Sequence, residues 1–255
     1  MDSGFAQIDA SLVAVGLGLA MFLAWGAGRW MGQRSRGRKG EQAVSKFDDA
    51  SIALLGLLLA FTFSMAIGKH EQRRLMVVTD SNAIGDFYTC ASLLKEPVRT
   101  KLQTVIRHYT ESRLAVARGR MDQATAERLL QQFQQMHAQM TDLVAEAVND
   151  GTPIAVALAN TLNEVTSSHA ARLAAARDRL PGVIVLLLFT SAVIATMLVG
   201  REQGAAGKTA VAGTLSFIIL VTFAVYVTLD LNQPQRGLIT VSQEPFERLL
   251  ATMSK

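Results

Sequence analysis

The chain has 255 residues, 50% of them hydrophobic and 18% charged, with a mean hydropathy of +0.26. That is more apolar than a soluble domain, and the apolar residues gather in blocks, so the class is integral membrane protein. The net charge of +4 does not indicate nucleic acid: residues 69–180 hold 14 Lys and Arg against 12 Asp and Glu, and much of the excess is Arg34, Arg36, Arg38 and Lys39 beside a membrane span. The single cysteine, Cys90, excludes an intramolecular disulfide and reads as a small buried apolar residue.

Ala10–Gly28 is an uncharged run of 19 residues, followed by Arg29 and Trp30 at interface depth, and it has no basic region or small-residue cleavage pattern before it. It is expected to be a retained membrane helix, about residues 10–31. Gly16, Ala20, Ala24, Gly28 and Gly32 recur along it every four residues. After the basic connection Gln33–Asp49 comes a second run of 19, Ala50–Gly68, long enough at about 1.5 Å per residue to cross a hydrocarbon core of about 30 Å. Gly56, Ala60, Ser64 and Gly68 make a small-residue stripe on it, and Leu54, Leu58, Phe61 and Met65 an apolar face. Small stripes on both helices predict that the two close-pack as a hairpin within residues 1–68.

Residues 69–179 contain no further span and read as a helical bundle. Val98, Leu102, Val105, Tyr109, Ser112 and Val116 step 4-3-4-3-4, and Leu129, Phe133, Met136, Met140, Leu143 and Ala147 repeat that spacing. Gly119 and Asn149-Asp150-Gly151 supply stops, and Pro97 and Pro153 suit first-turn positions. The second helix is expected to continue out of the bilayer through Lys69–Leu94. The helix Pro153–Arg179 is expected to run on into the third span with a kink at Pro181. Two uncharged runs of 21, Leu180–Gly200 and Thr209–Leu229, make a second hairpin within residues 180–230. In the tail, residues 231–255, Pro234 and Gly237 mark a turn, Leu238–Val241 is β-prone, and Ser242 precedes a short helix ending at Met253.

The fold expected is therefore all-α: four membrane helices with a helical bundle inserted between the second and third. Counting Lys and Arg in short segments puts the two inter-span loops in the cytoplasm and both termini outside with the bundle.

Catalytic motifs fail on inspection. His70-Glu71 begins like a zinc-protease helix, but Arg74 stands where the second histidine belongs, and Gly204–Thr209 lacks the first glycine of a phosphate loop. His137 beside Met136 and Met140 reads as core filler, and His169 as a hydrogen-bonded core or interface histidine. No cofactor, no metal site and no enzymatic activity are expected. What remains is a polar set at the membrane ends: Asp80, Ser81, Asn82 and Asp86 after the second span, and Asp230, Asn232 and Arg236 after the fourth. These serve either as caps and inter-helix contacts or as ion-pathway residues.

The stretches ALLGLLLAFTFSMA, HEQRR and SNAIGDFY, with the tail DLNQPQRGLITVSQEPF, resemble an uncharacterised bacterial membrane-protein family described as bestrophin-like. Asp86 and Asn232 depart from its usual Thr and Asp. The resemblance implies a bacterial inner-membrane protein similar to the bestrophins. Those are pentameric anion channels with four membrane helices per subunit and a second helix lining an apolar neck; their helical domain is cytoplasmic, opposite to the charge count here, and no copy of their calcium-binding acidic cluster is found.

Two functions are expected from these readings. One is a homo-oligomeric anion channel embedded in membrane lipid, in which Leu54, Leu58, Phe61 and Met65 line the constriction. Arg73 and Arg74 would stand at its mouth, and Gly56, Ala60, Ser64 and Gly68 would pack on the first span. The other is a sensor or scaffold whose bundle holds a ligand or partner protein.

Overall fold

The structure, a computed structural model, describes residues 9–35, 41–118, 123–207, 210–233 and 237–254. Eight helices are found among them: α1 Ala10–Arg34, α2 Glu41–Ser92, α3 Val98–Arg118, α4 Gln123–Asn149, α5 Ala155–Arg177, α6 Gly182–Ala206, α7 Val211–Leu231 and α8 Glu244–Met253. Four helical stretches are long and apolar enough to cross a membrane, lying within Ala10–Arg34, Asp49–Ser92, Ala155–Ala206 and Val211–Leu231. The chain divides into two compact units, the first of residues 1–70 and 179–239, the second of residues 71–178 and 240–255.

The first unit is organised by α1. Asp9 caps it by accepting from the Ser11 amide. Its buried residues, Ala10, Ala14, Leu17, Met21, Trp25, Gly28 and Gly32, follow the three-and-four spacing of one helix face. Gly28 and Gly32 lie so close to α6 that an added Cβ would stand 2.0 Å from the carbonyl oxygens of Met197 and Arg201. Gly200 and Gly204 return the contact, each with a virtual Cβ 2.2 Å from the carbonyls of Trp25 and Arg29. Residue numbers rise together along both helices, so α1 and α6 run parallel. Four glycines thus remove the side chains from a backbone-to-backbone crossing, which in lipid is held by dispersion and carbonyl contacts rather than by exclusion of water. Beside it Trp25 donates from Nε1 to Gln203 (3.1 Å), and Gln203 donates to Thr214 on α7 (2.8 Å).

This overturns the expected partner of the α1 stripe. Its second half meets α6, whose own glycines recur at the matching interval, while Gly16 and Ala20 floor an open apolar groove of about 610 Å³ flanked by Phe189, Val193 and Ile194. The α2 stripe is not used within the chain: Ala60 and Ser64 are exposed, and Gly56 and Gly68 have nothing near a virtual Cβ. Helix α2 instead presents Leu55, Thr62 and Ala66 to its own unit. Leu55 joins a core with Met21, Leu188, Ala192 and Val225, and Ala66 packs with Leu180 and Leu231.

Two further expectations are corrected. The predicted kink at Pro181 is a full break, with Asp178 and Pro181 in extended backbone (ψ 112° and 131°), because proline lacks an amide hydrogen and drives its predecessor out of the helical region. The Leu180 amide, lost to the helix, donates to Asn232 Oδ1 at 2.8 Å. Leu238–Val241 is no strand. Asp230, 2% exposed, accepts from the amides of Leu238 (3.1 Å) and Ile239 (2.9 Å), so that segment is tied to the end of α7. Gly237 fits there because a Cβ would stand 2.6 Å from Asp230 Oδ1.

In the second unit the apolar stripes of α3 and α4 face one core. Ile84 and Phe87 of α2, Leu102, Ile106 and Tyr109 of α3, Met140 of α4, Leu158 of α5 and Phe246 of α8 are fully buried. Helix α4 is closed off by Gly151, two residues past its end and in left-handed backbone (φ 73°), which lets the Thr152 amide reach back to the Ala147 carbonyl (3.2 Å). The expected stop at Gly119 lies outside the described residues. Helix α8 docks through Ser81, which donates to the Pro245 carbonyl at 3.0 Å, and through Phe246.

Gly28→Ala or Gly200→Ala is expected to destabilise the purified protein by about 1–3 kcal/mol, as overpacking does, whereas Gly56→Ala is near neutral. Equilibrium unfolding in detergent measures the difference, and equal effects at the three positions would contradict the α1–α6 contact.

Candidate functional site

The second unit encloses a polar centre in an otherwise apolar core. Its middle is Asp80, with no exposure to solvent, on the part of α2 that belongs to this unit. A carboxylate so placed keeps its charge only if cations and donors replace its water. Arg113 of α3 pairs with Asp80 Oδ2, and Arg172 of α5 donates to the same oxygen at 3.0 Å. Ser168, a turn before Arg172, donates to Oδ1 at 3.0 Å. Arg172 spends its other nitrogen on Gln243 Oε1 (2.9 Å), and its guanidinium lies 4.8 Å from the Phe246 ring centre. Two guanidiniums, Arg113 buried and Arg172 partly so, therefore share one carboxylate.

Aromatic rings close one side. Arg113 stands 5.6 Å from the Tyr109 ring and 5.5 Å from that of Phe133. Its other nitrogen meets Nδ1 of His169. His137 of α4 lies 3.2 Å from the Tyr109 hydroxyl, and its ring centre is 5.6 Å from that of His169. Burial pushes the Tyr109 hydroxyl up to about 12, so it stays protonated. Both histidines are half-buried. Among the described residues, no three His, Cys, Asp or Glu side chains converge to hold a metal ion.

Of the polar residues marked at the membrane ends, only Asp80 stands at this centre, and His169 and His137, read from the sequence as core or interface positions, lie beside it. Arg73 is buried on the same helix and donates to the carbonyls of Ala175 (3.2 Å) and Asp178 (2.7 Å), at the end of α5. Arg74 is exposed and pairs with Glu71 at 2.6 Å. Asn82 and Asp86 are exposed. Asp230 holds the tail segment in the first unit, and Arg236 lies outside the described residues. Leu54, Phe61 and Met65 are exposed, with Leu58 half-buried. Arg113 and Arg172 were not foreseen. The signal was present, since Arg113 lies four residues after Tyr109 and Arg172 four after Ser168, so both charges sit on buried faces.

A family model described as Bestrophin-like domain matches residues 14–246. The chain belongs to the bestrophin-like family. It is a membrane protein with four apolar, span-length helical stretches. No curated protein and no solved structure matches it.

Asp80→Asn, which leaves two guanidiniums without their counter-charge, is expected to destabilise the second unit by about 3–5 kcal/mol, the usual cost of removing one partner from a buried pair. Protease protection of residues 71–178 reports it, and an unchanged pattern would mean that the network carries no stability.

Proposed function

We propose that this bestrophin-like protein is a homo-oligomeric, anion-conducting channel in a bacterial inner membrane, with the spanning part of α2 at an apolar constriction. The observation that carries the reading is how little of that helix its own chain uses. At about 100° per residue, Leu55, Thr62 and Ala66 mark one side of α2. Leu54, Leu58, Phe61 and Met65 lie about 90° round from it, and Gly56, Ala60, Ser64 and Gly68 about 160° round. A pore helix in a ring needs three such sectors: its own subunit, a neighbouring copy and the axis. The small residues suit close approach of the neighbour, and a ring of Leu, Phe and Met side chains suits a gate that closes by dewetting. The fit is to ion passage rather than to catalysis.

The alternative, a sensor or scaffold whose bundle binds a ligand or partner, is favoured by one feature: five helical segments of the second unit meet at or beside a charge-paired centre. The two readings separate in liposomes. A channel passes chloride in preference to potassium when purified alone, and Phe61→Ala, which opens the constriction, raises that flux severalfold. Folded protein that passes neither ion under either gradient overturns the channel reading and favours the sensor.

Assembly has its own test. With Cys90 replaced by Ala, a cysteine at position 60 is the only one in the chain, so any disulfide must join two copies. Oxidation of Ala60→Cys in membranes is expected to give dimers in high yield, and Leu55→Cys, facing its own core, little. No dimer from Ala60→Cys would remove the stripe from a copy-to-copy contact.

A further inference from the structure

The polar centre of the second unit holds more positive than negative charge, and one of its contacts exists in only one protonation state. A guanidinium has donors and no acceptor, so the His169 Nδ1 that meets Arg113 must present a lone pair. The imidazole is then neutral, with its proton on Nε2. Adding a proton to Nδ1 removes the acceptor and sets a cation against a cation.

We propose that His169 is a proton sensor built into the helical bundle: its protonation expels Arg113 from the shared network around Asp80 and loosens α5 from α3. The described groups that face it are mostly cationic or neutral. From α2 the centre receives Asp80, whose oxygens already accept from Arg113, Arg172 and Ser168. From α3 come Tyr109 and Arg113, from α4 His137, and from α5 Arg172 beside His169 itself. The tail contributes Gln243 and Phe246, which are uncharged. Among these groups Asp80 is the one carboxylate, against two guanidiniums and two imidazoles.

His169 is only partly buried, which gives protons a route in that a fully sealed histidine would lack. His137 acts in the same direction. Burial, and then the nearby Arg113 charge, hold its pKa below the usual histidine value. It is therefore neutral in the packed bundle and takes up a proton more readily once the bundle opens, so acid favours the open form. Opening that takes up one proton gains up to about tenfold in its equilibrium per unit fall in pH. The inference holds whether or not the spans conduct.

The test is amide hydrogen exchange on the full-length protein in lipid nanodiscs at pH about 7.5 and about 5.5, the range in which histidine changes charge, with times scaled for intrinsic exchange. Protection in α3 and α5 is expected to fall about tenfold or more on acidification in the wild type. His169→Gln keeps an acceptor for Arg113 and cannot titrate, so its loss of protection on acidification is expected to be several-fold smaller than that of the wild type, the remainder being the His137 share. Unchanged wild-type protection, or a His169→Gln protein that loses as much protection as the wild type, overturns the proposal. Should His169→Gln lack wild-type protection at the higher pH, ring nitrogen NMR of the histidine-labelled wild type decides instead. An Nε2–H tautomer that charges as protection is lost supports the sensor, and a ring that carries its proton on Nδ1 or never titrates removes it.

Discussion

A carboxylate with no access to water imposes more on this protein than any other single group. Asp80 cannot be left alone in an apolar core, so the chain must bring two arginines and a serine to it from helices far apart in sequence. That requirement fixes how α2, α3 and α5 face one another, because a hydrogen bond tolerates far less error in position than an apolar contact does. The tail is tied in by the same logic, since Arg172 must place its remaining nitrogen and does so on Gln243. Apolar stripes make the bundle compact; the shared carboxylate makes its arrangement specific.

The first unit solves a different problem with different means. No water is available in hydrocarbon to drive helices together, so α1 and α6 are joined by taking side chains away, and four glycines let two backbones touch. Trp25, Gln203 and Thr214 add a chain of hydrogen bonds across three helices. Against that lock, the spanning part of α2 is held by a narrow face and leaves most of its circumference free. A subunit of this kind has one rigid pair and one helix with capacity for further contacts.

Much of the fold was legible because the relevant signals are local. A charge-free run of about twenty residues has few meanings, and the 4-3 spacing on α3 and α4 marks a core face whatever the partner. What could not be read was pairing. Glycines on α1 invite a close neighbour without naming it, and α2 carried an equally inviting stripe; only three-dimensional register chose Gly200 and Gly204. Likewise the β-branched residues of Leu238–Val241 suggest a strand, but Asp230 had already claimed two of the amides a ladder would need. The candidate centre was half visible. Asp80 stands out as a charge near a membrane, whereas the burial of Arg113 is not legible in the sequence, because charge is normally evidence against burial and its compensation lies on other helices.

The parallel pairing of α1 with α6 also has a temporal side. During synthesis α1 enters the bilayer first, but the glycines that receive it follow only after all of α2 to α5 has been made, on the order of ten seconds at ordinary elongation rates. Throughout that interval the bare backbone of Gly28 and Gly32 is covered by lipid tails or by a transient helix. The first two spans must therefore be stable in the bilayer on hydropathy alone, and the final tightening of the membrane unit is a late event that waits for the bundle to be translated.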